Sequence, residues 1–194
     1  MMPRRQKGKI IIISGPSGSG KTTLYQKLLD SPRLKSKLAK SISVTTRPCR
    51  PGEKHGHDYF FVSRRMFAYK KRANHFLESQ RVFDNHYGTP QKNVKEILSG
   101  GKSVLLCIDV KGARVVRKKF PQAASFFIKA PSLNVLKKRL TCRGSENKKT
   151  VKLRLDTAKE ELKDAQYYDK VFVNRDLAKC FRDLEAAVAR EIGQ

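Results

Sequence analysis

The sequence predicts an α/β fold in which a mostly parallel sheet is flanked by helices, within one domain covering residues 1–194. Strand-like and helix-like segments alternate along the chain, as βα units require. Several strand-like segments are continuous apolar runs, such as Ile10-Ile11-Ile12-Ile13 and Val104-Leu105-Leu106, which suits strands buried on both faces. No repeat, low-complexity tract or Pro/Gly-rich linker divides the 194 residues, a length sufficient for one sizeable core.

Lys9–Ser14 reads as the first buried strand, followed by a Gly-rich turn and a helix through about Leu29. Ser103–Asp109 reads as a second strand with a helix after it to about Lys118, Ser125–Ile128 as a third and Lys170–Val173 as a fourth. The last helix runs from about Leu177 to Ile192, with Leu177, Phe181, Leu184, Ala187 and Val188 at helical spacing for core packing. Two stretches interrupt the alternation. Residues 41–90 are polar and aromatic, with short strand-like pieces at Tyr59–Val62 and Phe76-Leu77. A short helix begins there after Ser63, a suitable N-cap, and carries Met66 and Phe67. This stretch is expected to be a small inserted subdomain. The second, Thr141–Thr150, is a polar connector between two basic helices and reads as a mobile flap, part of a lid covering about 141–164. The core is then 1–40, 91–140 and 165–194.

The most specific motif is Gly15-Pro16-Ser17-Gly18-Ser19-Gly20-Lys21-Thr22, a full match to GxxxxGK[ST] between an apolar strand and a helix. Its glycines let backbone N–H groups wrap a phosphate chain, and the helix N-terminus adds its positive end. Lys21 is placed for the β- and γ-phosphates and the Thr22 hydroxyl for Mg²⁺, with Thr23 following. These features predict a P-loop NTPase-type core that takes a nucleoside triphosphate with Mg²⁺, but leave the acceptor open.

Composition narrows the partners. Lys and Arg number 43 against 17 Asp and Glu, a formal charge of +26, which draws polyanions. The cations are spread along the chain, and no helix-turn-helix or aromatic-studded RNA-binding motif is present, so nucleic acid is expected only as a non-specific electrostatic side activity. Cys49, Cys107, Cys142 and Cys180 contain no CxxC pair and read as free thiols. The apolar run after the basic Met1–Lys9 segment is four residues, too short for a signal-peptide core or a membrane span, so a cytoplasmic location is expected.

The acceptor side centres on Ser43-Val44-Thr45-Thr46-Arg47-Pro48-Cys49-Arg50-Pro51-Gly52-Glu53, where prolines stiffen a segment bearing two arginines suited to bidentate phosphate contacts. Together with Gly56-His57-Asp58-Tyr59-Phe60-Phe61-Val62-Ser63 it resembles the acceptor region of the guanylate kinase family. The resemblance continues through Phe76-Leu77-Glu78, Asn85–Pro90, Ile108–Arg114, Arg143-Gly144-Ser145 and Val173-Asn174, nearly the whole chain. It implies transfer of the γ-phosphoryl group of ATP to GMP, and dGMP as well. It further implies that Arg47, Arg50, Tyr59 and Tyr87 hold the GMP phosphate, and that Ser43, Glu78, Thr89 and Asp109 surround the guanine. Arg139, Arg143 and Arg154 match arginines brought onto the transferring phosphates, and Asn174 matches a contact to adenine. Closure of 41–90 around GMP and of the flap over ATP is expected.

The chemistry of Glu78 agrees with this. Guanine presents N1–H and an exocyclic amine side by side, and one carboxylate accepts from both. Adenine's unprotonated N1 would set acceptor against acceptor, a cost of about 1–3 kcal/mol or about ten- to a hundredfold. Four positions depart from the family pattern: Cys107 stands for the first residue of Asp-x-Asp, Ser79 for a tryptophan, His86 for the first of two tyrosines, and Arg175 for an acidic residue. A binding module that has lost catalysis would have a degraded phosphate loop, and here Lys21 and Thr22 are intact.

Overall fold

The computed structural model describes residues 8–141 and 148–193. Its core is a five-stranded, all-parallel sheet of β1 (Ile10–Ser14), β2 (Leu38–Lys40), β7 (Ser103–Cys107), β8 (Ala124–Lys129) and β9 (Lys170–Val173), in the order β2-β7-β1-β8-β9. The four core strands expected from sequence are all present. β2 is an addition; its three residues are too few and too polar to announce themselves. All five residues of β1 are buried because the strand lies between β7 and β8 and is covered on both faces.

The period-2 alternation of β1 divides the core. Ile11 and Ile13 join Leu24, Leu28, Leu184 and Val188 on the face covered by α1 (Lys21–Asp30) and α7 (Leu177–Glu191). Ile10 and Ile12 join Val94, Ala113 and Val116 on the face covered by α3 (Gln91–Ser99) and α4 (Val110–Lys119). Asp109, expected at a strand end, lies just beyond β7 and caps α4: its Oδ1 accepts from the Gly112 N–H at 2.9 Å.

A second sheet carries β3 (Val44–Thr45), β4 (Phe60–Phe61), β5 (Phe76–Val82) and β6 (Asn85–Pro90) in the order β4-β3-β6-β5. Its backbone is the antiparallel β5–β6 hairpin, much longer than the Phe76-Leu77 fragment legible in the sequence. The turn is made at Phe83, a non-glycine at φ 54°. Ser63 caps α2 (Arg64–Arg72) as expected, its Oγ accepting from the Met66 N–H at 3.1 Å. Phe67, the buried side chain of α2, stacks on Phe76 and His86. Because neighbouring strand residues point to opposite faces, His86 toward α2 sends Tyr87 toward the core domain.

α5 (Leu133–Thr141) and α6 (Lys148–Lys163) pack through Leu136, Leu140, Ala158 and Leu155. The centre of the expected flap, with Arg143, lies outside the described residues. Among the described residues no helix is long and apolar enough to cross a membrane.

Candidate active site

Gly15–Gly20 leaves β1 at its carboxyl end, where parallel sheets open their crevices. Gly15 adopts φ +135° and a Cβ there would stand 2.1 Å from the Ile128 carbonyl oxygen, so only glycine fits against β8. Gly20 sits at φ +95°, where a Cβ would meet Asn174 Nδ2 at 2.2 Å. That closeness has a purpose. Asn174, just past β9, is buried and its Nδ2 donates to the Ser19 carbonyl at 2.9 Å, bracing the loop. Arg139 of α5 donates in turn to the Asn174 carbonyl at 3.1 Å. Asn174 is not the cap of α7; Asp176 fills that role by accepting from the Lys179 N–H. Lys21 Nζ donates to the Pro16 carbonyl at 2.7 Å, holding its ammonium over the loop.

A cavity of about 370 Å³ opens above the loop. Gly15, Ser17, Lys21 and Thr22 form one wall, Ser43, Tyr59 and Tyr87 a second, and Asp109 with Arg154 of α6 complete it. The Arg154 guanidinium lies 5.1 Å from the centre of the Phe83 ring, so the hairpin tip of the second sheet meets α6 across the opening. An adjoining cavity of about 230 Å³ shares Thr22, Ser43, Tyr59, Tyr87 and Cys107 and adds Arg47 and Arg50. Eleven of the residues singled out from sequence therefore line one continuous crevice: Gly15, Ser17, Lys21, Thr22, Ser43, Arg47, Arg50, Tyr59, Tyr87, Asp109 and Arg154. Gly18 faces Leu136 and Leu140 of α5, Ser19 is buried, and Thr23 is exposed on α1.

On the arginine side, Arg47 donates through Nη2 to both oxygens of Glu53 at 2.7 and 2.9 Å and lies over the rings of Tyr59 and Phe61. Burial opposes the charge of Arg47, but the Glu53 carboxylate more than offsets this and holds the guanidinium above its ordinary value. Glu53 is drawn below the carboxylate range against its own burial by the same pair and by the Arg50 N–H. Burial beside Cys107 and Tyr87 pushes Tyr59 up to about 12, so it is a hydrogen-bond donor at neutral pH.

Glu78 and Thr89 are buried and directly paired across the β5–β6 ladder, and neither is among the residues lining the two cavities. Thr89 Oγ1 donates to Glu78 Oε1 at 2.7 Å. The other oxygen, Oε2, lies against Gly112, where an added Cβ would approach it to 2.7 Å. Burial, with Asp109 adding to it, pushes Glu78 up to about 7.

Sequence reading missed two acidic residues here. Glu53 was visible in the motif, but its role as the partner of Arg47 needs the turn that folds 47–53 back on itself. Glu161 of α6 lines the larger cavity and burial pushes it up to about 7. No local pattern marks it; only the placement of α6 opposite the loop does.

The family model described as guanylate kinase matches residues 7–191. A guanylate kinase of Symbiobacterium thermophilum is 41% identical over 191 residues, covering 98% of this chain and 89% of the relative. One of Rickettsia prowazekii is 38% identical, covering 98% and 95%. The crystal structure of guanylate kinase from Anaplasma phagocytophilum superposes with a TM-score of 0.80 at 32% identity, covering 97% of this chain and 88% of that one. Matched over nearly its whole length by the family model and by these relatives, this protein belongs to the guanylate kinase family.

Proposed function

We propose that the protein transfers the γ-phosphoryl group of ATP to GMP, and to dGMP, giving ADP and the nucleoside diphosphate. The observation that carries this reading is the continuity of the crevice. One end is a phosphate loop and the other an arginine–tyrosine cluster, and the hairpin that carries Tyr87 also holds a buried carboxylate, Glu78. Two anionic substrates can thus be set end to end, which supplies most of what phosphoryl transfer requires.

In this reading Gly15–Gly20 cradles the ATP phosphates, and Lys21 leaves the Pro16 carbonyl to follow the charge as it moves onto the leaving ADP. Asn174 acts on ATP through the loop it braces. Arg47 and Arg50, with the phenols of Tyr59 and Tyr87, hold the GMP phosphate. Glu53 pre-sets the Arg47 fork, so little side-chain entropy remains to be lost on binding. Glu78, held by Thr89, accepts from guanine N1–H and the exocyclic amine, assisted by Ser43 and Asp109. Arg139, Arg143 and Arg154 neutralise the transferring group. Residues 41–90 form the acceptor subdomain and about 141–164 the lid.

A magnesium ion suits the residues present. Among the described residues no group of three or more His, Cys, Asp or Glu forms a cage. The Thr22 hydroxyl and the Asp109 carboxylate line the same cavity as hard oxygen donors. Mg²⁺ keeps several waters and takes one or two protein oxygens beside substrate phosphates, which fits so sparse a set. When bound it neutralises charge on the β- and γ-phosphates; Thr22 would ligate it.

A coupled assay for ADP release, with ATP–Mg²⁺ and each of GMP, dGMP, AMP, CMP and UMP, tests the reading. Turnover is expected with GMP and dGMP alone; equal turnover with AMP would refute it. Gly112→Ala probes the base pocket separately. Its Cβ would displace Glu78 Oε2, so KM for GMP is expected to rise about tenfold while KM for ATP stays within about twofold.

A further inference from the structure

The cavity over the phosphate loop contains two carboxylates among its lining residues, Asp109 and Glu161. Asp109 has a structural task in capping α4. Glu161 is different. It shares one face of α6 with Arg154 and Thr157, at i+7 and i+4, and all three line the cavity. The nearby acids of α6 point elsewhere: Asp156 pairs with Lys159 and Glu160 with Lys163. Burial acts most on Glu161, with attraction from Lys21 and Lys111 and repulsion from Asp109, all lining the same cavity, and weaker repulsion from Asp164 outside it. At the end of β7, Cys107 contributes no charge, since burial raises its thiol.

A carboxylate facing a triphosphate site is a liability by sign alone. It repels a bare triphosphate in a partly desolvated crevice, where charges act more strongly than in water. The liability becomes an advantage if a divalent cation arrives with the nucleotide, because the same carboxylate then faces net positive charge and metal-bound water. We propose that Glu161 is a positioning residue that makes nucleotide binding at the phosphate loop depend on the accompanying divalent cation, repelling metal-free ATP and accepting hydrogen bonds from the water shell of Mg²⁺. This rests on the reading of the loop as the ATP site.

The test is calorimetric titration of the full chain with a non-hydrolysable ATP analogue, in excess Mg²⁺ and in EDTA, at pH 8, where a carboxylate raised to about 7 is ionised. Wild type is expected to bind the Mg²⁺ form more tightly. In Glu161→Gln the metal-free analogue is expected to bind about fivefold tighter and the Mg²⁺ form about tenfold weaker, so the preference collapses. Glu161→Asp, which keeps the charge on a shorter stem, is expected to fall between. Far-UV circular dichroism and the melting temperature of each variant report folding independently of nucleotide. Equal weakening of both nucleotide forms, or no change in either, would overturn the proposal and leave Glu161 a packing residue of α6. Failure of wild type to bind the analogue in either condition would instead overturn the reading of the loop.

Discussion

Lys21→Met is expected to lower kcat by a factor on the order of 10²–10³, or about 3–4 kcal/mol of barrier, while GMP affinity stays within about twofold. Methionine preserves the length and most of the apolar stem and removes only the ammonium. In the free protein that ammonium sits 2.7 Å from the Pro16 carbonyl, a bond made to its own loop. The loop keeps its shape without it, because Gly15 is fitted against β8 and Ser19 is held by Asn174 just past β9. The loss therefore falls on the transition state. Negative charge gathers on the bridging oxygen of the departing ADP, and a fixed cation there is worth far more in the crevice than in water. Single-turnover kinetics with saturating GMP check this. A fall in kcat smaller than about tenfold would mean that Lys21 serves only to bind ATP, and a parallel rise in KM for GMP would mean that the substitution has disturbed the whole crevice.

The parts of this site that could be read from the sequence are those in which chemistry is local. Gly15–Thr22 carries its own strand, turn and helix start within eight residues, and Ser63 and Met66 form a cap within four. The buried core strands show because both faces are covered and every residue is apolar. The β5–β6 hairpin was half hidden for the opposite reason. Ser79, Gln80 and Arg81 are polar on a ribbon that is partly exposed, and the turn lacks the glycine that usually marks one, since Phe83 takes the positive φ itself. Asp109 was read in place, but its placement outside β7 follows from its second duty as the cap of α4. Glu161 could not be read at all, because helical spacing relates it to Arg154 and Thr157 but says nothing of Lys21, more than a hundred residues away. The charge of +26 was equally visible and far less specific. The crevice lining, with Arg139 and Arg143 beside it in the proposed chemistry, engages only a few of those cations.

Glu78→Gln is expected to raise KM for GMP about ten- to a hundredfold and, unlike a merely disruptive change, to make the folded protein more stable at alkaline pH. The two effects share one cause. Glu78 is held among Thr89, Gly112 and the nearby charge of Asp109, where burial pushes it up to about 7 from an ordinary 4.5. A carboxyl raised in the folded state stabilises the fold while it is neutral. That contribution is complete below about 4.5 and is lost as pH rises through about 7, where ionisation costs the buried site on the order of 3 kcal/mol. Glutamine is neutral throughout and is not subject to that loss. Its melting temperature should therefore exceed that of wild type by several degrees at pH 8, and the gap should close toward pH 5. Function runs the other way. Accepting from both guanine N–H groups requires the ionised form, so kcat/KM of wild type for GMP should fall about tenfold per pH unit below about 7. Glutamine offers one carbonyl and turns an amide donor toward a donor, so its kcat/KM should be low and free of this step. It keeps only the shallower one near 6 that belongs to the GMP phosphate itself. A variant that is less stable than wild type at pH 8 would show that the fold does not hold a raised carboxyl at Glu78, and one that keeps the wild-type KM for GMP would show that Glu78 is not the group that reads the base. If instead stability rises and the step vanishes, the stored cost of the ionised carboxylate is what guanine relieves when it binds: two N–H donors supply the hydrogen bonds that burial has taken from water.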